Sequence, residues 1–515
     1  MTTATTSERP TEAVSTRRAW ATVAVLSASL LVVTMDMTIL NIALPEMAAE
    51  LHPSSDQQLW IVDIYSLVLA GLLVSWAAVA DRWGRKKMLM LGYAIFLLGS
   101  LLVLVADTAE MVIAVRAFLG VGGAMIMPNT LSLIRVVFTD TKQRATALSI
   151  WAAVSGLGAA AGPVVGGILL EHFSWHAAFL VNVPLMFGAI VAGLVILPES
   201  RVANPGRWDA LAALLSLVGM VLLVWSIKTF GKEATLALPS AWIAAAVGVG
   251  ALVWFARRCL SSDQPLLDLG LFRSRLFTGG IIAALGTTFA MLAALLLLTQ
   301  WLQLVNGASP IESGARLIPV ALTAALSSIL APPLARVIGS RTVLVGGLVL
   351  AGIGMLVVGF YPGEVDYTVI VVAMTLIGAG TGSLAIASAM IMMGSPEHRA
   401  GNAGALEETS YELGGTLGVA ILGSVSAMVY RSSLTDSAAA DGISPAVAAQ
   451  ASESLGAAVA IAEERGLPAL AGDAATAFTQ SLQTAGVAGG LVMLGVAAAV
   501  FLVTPKGVNV STSGH

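Results

Sequence analysis

The stretch VADRWGRKKML, residues 79–89, separates two long apolar runs, roughly 57–80 and 88–106. Asp81, Arg82, Arg85, Lys86 and Lys87 crowd around Gly84. Each flanking run is close to the ~20 residues that cross a bilayer as a helix. The polar stretch is therefore a turn, and Gly84 lets it be tight. Lys and Arg in so short a connection hold it on the cytoplasmic side. Topogenic charge explains the cations but not the order Asp-Arg-x-Gly-Arg-Lys. A fainter version, LARVIGSRT at 334–342, puts Gly339 where Gly84 stands and Arg336 where Asp81 stands. It hints at two duplicated halves.

The rest of the chain extends this hairpin. Of 515 residues, 57% are hydrophobic and 11% charged, with mean hydropathy +0.89. That is too little charge for the surface of a soluble protein of this size. Fourteen apolar windows read as helices: 19–42, 57–80, 88–106, 110–134, 146–170, 176–198, 208–228, 239–258, 277–303, 313–335, 342–361, 367–393, 402–428 and 482–503. The spacing predicts an all-α polytopic membrane protein. With the N-terminus inside, 20 of the 26 Lys and Arg fall in cytoplasmic segments and 5 outside (Lys228, Lys232, Arg316, Arg431 and Arg465), with Arg116 inside a span. The split obeys the positive-inside rule, which one helix more or fewer would scramble. Both termini are expected in the cytoplasm, and Met1–Thr16 reads as a tail and not a signal peptide. The single cysteine, Cys259, excludes an intramolecular disulfide. The histidines lack zinc-site spacing. No GxxxxGK[ST] loop is present, so ATP is not the expected energy source.

One external loop, roughly 429–481, is long. Within it Ser444 and Pro445 suit a helix start, and Gly466 with Pro468 suits a stop. Val447, Ala451, Leu455, Val459 and Ala462 form a thin apolar stripe. A small extracellular helical element is expected there.

Several spans carry residues that lipid does not tolerate. Span 1 ends MDMTILNIALP, with Asp36, Thr38 and Asn41; span 2 begins QLWIVDIYSLVLAG, with Asp63 and Tyr65; span 4 holds Arg116. Each charge lies about six residues, or roughly 9 Å, below the outer boundary. Two acids and a base at one depth are expected to form a buried network in which Arg116 is the charge partner. Span 5 reads GAAAGPVVGG, residues 158–167. Gly158, Gly162 and Gly166 share a helix face and let another backbone come close, Gly167 follows, and Pro163 invites a bend. Span 13 contains GALEETSYELGG, 404–415, with Glu407, Glu408, Tyr411 and Glu412 on one side of the helix. Facing lipid, three ionised glutamates would add roughly 8–10 kcal/mol to insertion. That side must face protein or water. Burial and mutual repulsion favour a protonated glutamate, hence a proton carrier.

Taken together these stretches resemble the major facilitator superfamily, and more narrowly its fourteen-span drug:proton antiporter family of the quaternary-ammonium efflux type. DRWGRKK is similar to the superfamily's motif between spans 2 and 3, with Ala77 where the motif usually begins with Gly. The Arg116 segment is similar to the span-4 motif, with Leu119 at its usual Gln, and GAAAGPVVGG to the antiporter motif of span 5. MDMTILNIALP, WHAAFLVNVP (175–184), LQLVNGASPIESGARLIP (302–319) and ALEETSYELGGTLGVAILGS (405–424) resemble stretches of the fourteen-span branch.

The resemblance implies a six-helix bundle at 19–199, two inserted helices with linkers at 200–276, a second bundle at 277–503, and cytoplasmic tails at 1–18 and 504–515. It implies alternating access, not enzymatic catalysis. Hydrophobic or cationic drugs would leave a bacterial cytoplasmic membrane in exchange for protons. A monomer in lipid, with no cofactor or nucleic acid, would suffice. Asp36, Asp63, Glu407 and Glu408 stand where relatives place coupling carboxylates, and Glu412 joins them by its position. Tyr65, Tyr411 and Asn41 are candidates for the cavity wall. Asp81, Arg82, Gly84, Arg85 and the span-5 residues are expected to govern conformational change. The same fold exporting one dedicated natural product, lipid or metabolite is the alternative.

Overall fold

The computed structural model describes residues 15–138, 140–201, 208–233, 237–262, 265–363, 365–396, 399–440 and 443–507. The expected tails before residue 15 and after residue 507, and Arg207 in the linker before span 7, lie outside the described residues.

Fourteen helices are long and apolar enough to cross a membrane: Thr16–Leu51, Ser55–Trp83, Arg85–Val105, Ala109–Val137, Val154–His172, Ala177–Ile196, Ala210–Gly231, Pro239–Ser261, Arg275–Val305, Pro310–Ile338, Ser340–Gly359, Tyr367–Met393, Asn402–Ala438 and Pro468–Val503. They are spans 1–14 below. No strand occurs among the described residues. Hydrocarbon offers backbone groups no partner, so helices that bond internally are the solution a single chain can build. Local signals start them. Ser54 opens span 2 with a capping box, Gln57 N–H donating to its Oγ at 3.3 Å and its own N–H donating to Gln57 Oε1 at 2.9 Å. Span 10 breaks after a short helix, Pro310–Arg316, started by a matching Ser309–Glu312 box.

An even number of crossings puts the two ends of the chain on one side, here called the termini face, opposite the far face. Spans 1–6 pack around one apolar core and spans 9–14 around another. Spans 7 and 8 pair with each other, and span 7 lies against spans 2 and 13. The bundles meet where span 1 approaches span 9, span 2 approaches span 13, and span 5 approaches the start of span 10. Span 10 also packs on span 12, where Gly378 and Gly382 lie against Thr323 and Ser327, but only 11% of its apolar window is buried.

Two extents differ from the sequence reading. The helix of span 13 runs Ala400–Ala440 and the last helix begins at Pro468, so much of the expected 429–481 loop is helix. Arg431 and Asp436 lower the local hydropathy without breaking the helix, which continues past the apolar slab. Between them lie two short helices, Pro445–Ala451 and Leu455–Arg465, where one was expected. The stripe residues Val447, Ala451, Leu455 and Ala462 are buried, and Gly466 caps the end at φ 63°.

Candidate functional site

A cavity of about 810 Å³ opens between the bundles toward the termini face. Its wall comes from spans 2, 4 and 13, from the helix Thr141–His172 that leads into span 5 and from the segment after span 8, with Leu73, Met127, Leu131, Trp151 and Leu266 as apolar lining. Glu408 points into it and is partly exposed there. Asp81, Arg85, Arg135 and Arg399 also line it. The volume lies in the range of small-molecule sites, roughly 300–1,000 Å³.

The three glutamates of span 13 part company. Glu407 is buried and accepts a 2.6 Å hydrogen bond from Tyr411 Oη, one helical turn on. Arg135 lies within its electrostatic reach. Glu412 is buried against span 2 beside Ser66, and its Oε2 takes no hydrogen bond. Tyr65 and Arg116 lie within its electrostatic reach across the seam. Only Glu408 sees the cavity.

The first bundle fixes its own acid. Arg116 Nη1 donates to Asp36 Oδ2 at 2.6 Å, and Asn182 Nδ2 donates to Asp36 Oδ1 at 2.7 Å. Arg116 Nε donates to the Ile61 carbonyl at 3.2 Å, and the guanidinium sits 4.5 Å from the centre of the Tyr65 ring. Asp36 and Arg116 are each about 1% exposed. Burial on this scale is stable because the guanidinium fork satisfies several acceptors at once. Asn41 stays one turn away, its amide donating to the Thr38 carbonyl at 3.3 Å.

Asp63 does not join this network. Its partner is Lys228 of span 7, with Nζ 3.1 Å from Oδ2 and both side chains sealed. The sequence reading placed Lys228 in an external segment and grouped Asp63 with Asp36 and Arg116 in one network. Lys228 lies near the end of an apolar window, where a cation reads as a boundary marker, and one sequence does not show which way it turns. Asn182, inside the quoted WHAAFLVNVP, also went unassigned; its polarity within an apolar span was the available signal.

The span-5 glycines lie against span 1. A Cβ on Gly158 would meet Thr34 and Leu31; on Gly162, Thr38 and, at 2.9 Å, the Met35 carbonyl; on Gly166, Ile39. The other face of the same turn touches the second bundle. Gly167 lies against Ile311, where a Cβ would come within 2.8 Å of its Cα, and Gly314 packs on Pro163. Gln303 Nε2 donates to the Ile42 carbonyl at 3.1 Å. These contacts shut the far face while the termini face stays open.

At the turn after span 2, Arg85 donates to Asp81 Oδ1 through Nε at 3.0 Å and Nη2 at 2.8 Å. Gly84 has φ 122°, and a Cβ there would fall 2.6 Å from Glu199 Oε1. Glu199 accepts from the Lys86 N–H at 3.1 Å, and the Arg85 N–H donates to the Ser200 carbonyl at 2.9 Å. The segment after span 6 therefore caps span 3, a contact the sequence reading missed. Arg82 is exposed.

The chain belongs to the major facilitator superfamily, whose profile matches residues 26–419. It is 38% identical to the multidrug efflux pump LfrA of Mycolicibacterium smegmatis over 94% of this chain and 96% of that one. It is 36% identical to the methyl viologen resistance protein SmvA of Salmonella typhimurium over 89% of this chain and 91% of that one. Among solved structures, an inward-facing, unoccupied bacterial homolog of the human lysosomal transporter Spinster shares the fold, with TM-score 0.65 and 17% identity across 95% of this chain and 97% of that one. The fold is thus the transporter fold of that superfamily, embedded in a membrane by many spans.

Proposed function

We propose that this protein exports lipophilic, often cationic small molecules from a bacterial cytoplasm in exchange for protons, with its termini face toward the cytoplasm. It acts as a monomer in the bilayer, without a cofactor, and the proton gradient drives it. The observation that carries the reading is Glu408, a carboxyl group inside a membrane-spanning helix that faces the cavity. Glu408, set among apolar lining residues such as Leu73, Met127 and Leu131, suits a lipophilic cation. The relatives, a multidrug efflux pump and a methyl viologen resistance protein, support the substrate class.

The exchange needs no further device. A proton and a cation that compete for the same carboxylates release one another, and the coupling is reciprocal. Glu408, with Glu407 behind it, serves this competition from the inner half, while Asp36 and Asp63 serve the outer half. Glu412, between Ser66 and the Arg116 cluster, links the two. The span-5 glycines and the Asp81–Arg85 turn carry the conformational change.

The test is ethidium movement in proteoliposomes under an imposed pH gradient, wild type beside Glu407→Gln and Glu408→Gln. Gradient-driven movement is expected, and at least one variant loses it. A folded wild type that moves no ethidium sinks the multidrug reading and leaves a dedicated cargo. Neutral replacement of Asp36, Asp63, Glu407 and Glu408 with pH-driven transport intact would refute carboxylate coupling.

A further inference from the structure

Lys228 reaches from span 7 into the outer half of span 2. Its Nζ lies 3.1 Å from Asp63 Oδ2 and 4.1 Å from the centre of the Trp60 ring. Trp60 and Asp63 are three residues apart, so they present one face of the helix. A carboxylate and an aromatic face are the two elements that recognise an alkylammonium group. Neither Nζ nor Oδ2 makes a well-aligned hydrogen bond. Charge and ring, which are not directional, hold the ammonium.

We propose that Asp63 and Trp60 form a binding cage for a monovalent organic ammonium group, and that Lys228 is the chain's own occupant of it. While Lys228 is seated, Asp63 is closed to any outside cation. Lys228 is thus a specificity-determining residue carried by the inserted helices. This inference rests on the exporter reading only for the role of Asp63 in exchange.

The setting gives the occupant a reason to move. Span 7 is fastened to span 2, where Ser216 Oγ donates to the Gly71 carbonyl at 3.3 Å and Leu217 fills the space beside Gly71. Its other flank touches span 13, where Gly231 packs on Ser424. One helix bridges both bundles, so any rearrangement between them strains one of these contacts. The glycine–serine contact slides; the Lys228–Asp63 pair must hold or part.

The experiment uses Lys228→Ala, purified in detergent, with n-propylammonium as the probe and sodium chloride at matched ionic strength as control. The probe replaces the amine and most of the stem that alanine removes. A ligand that binds only the folded state raises its melting temperature. The melting temperature of Lys228→Ala is expected to rise by several degrees with dose. Wild type, whose cage is filled, and Lys228→Ala/Asp63→Asn, which lacks the carboxylate, are expected not to respond. An equal response in wild type, or one that survives loss of Asp63, overturns the proposal. Should Lys228→Ala fail to fold, growth with n-propylammonium must restore folded yield in that variant alone; no restoration, while the double variant folds, overturns it too. n-Propylammonium is also expected to restore most of the ethidium transport that Lys228→Ala loses. A wild type without ethidium transport would defeat the exporter reading and leave the melting result standing by itself.

Discussion

Asp36 and Glu408 are both carboxyl groups inside membrane-spanning helices, yet their surroundings are opposite. Both oxygens of Asp36 have donors, from Arg116 and Asn182, and nothing of it reaches the cavity. Glu408 faces the cavity. The difference separates two uses of buried charge. In this state, open at the termini face, a carboxylate held by a fork of donors fixes helices relative to one another, because breaking the pair strands a charge; the proposed part of Asp36 in exchange belongs to the state in which the outer half opens. A carboxyl group at a cavity wall is free to trade a proton for a cation. Glu407 falls between them, tied to the hydroxyl groups of Tyr411 and Ser388 and near one cation.

The largest expected effect is that of Arg116→Met. It leaves Asp36 buried with only the Asn182 amide, at a cost of about 3–5 kcal/mol. Thermal unfolding in detergent checks this, and Arg116→Lys is expected to recover part of it, since an ammonium lacks the fork that also reaches Ile61. A melting temperature unchanged in Arg116→Met would erase the distinction between the two acids. Glu408→Gln comes next and affects a different observable. It is expected to cut pH-driven transport at least tenfold while the melting temperature stays near wild type. A large loss of stability would place Glu408 in the first class. Tyr411→Phe is the smallest. It removes one hydrogen bond to Glu407, about 1 kcal/mol, and is expected to change transport a few-fold; no change would mean that Glu407 is held by other groups.

Much of this was legible in the sequence. The fourteen spans follow from hydropathy and from the alternation of Lys and Arg, both of which reflect the cost of moving charge through hydrocarbon. Helical periodicity alone put Glu407 under Tyr411 and put Gly158, Gly162 and Gly166 on one face, and those are local relations that a regular helix dictates. The relations between helices were harder. Asp63 was grouped with Arg116 by depth, but depth does not fix which way a side chain turns around its helix. Lys228 was read as a boundary cation because hydropathy has no sign for a charge that has a partner. The span-13 glutamates were placed on one side facing protein or water, and the structure divides that side among the Tyr411 and Ser388 hydroxyl groups, the cavity and span 2. Only the neighbouring helices make that division.

The seam that shuts the far face is built of small residues and backbone: Gly167 on Ile311, Gly314 on Pro163, with Gln303 reaching a carbonyl of span 1. Flat surfaces of this kind part without unthreading interlocked side chains and without separating opposite charges. Opening this seam therefore gives up few interlocking or ionic contacts. In the proposed exchange, a proton or a drug shifts the balance only by its difference in affinity for the two states. A closure built for easy reversal suits a machine that must turn over with weakly held and varied cargo.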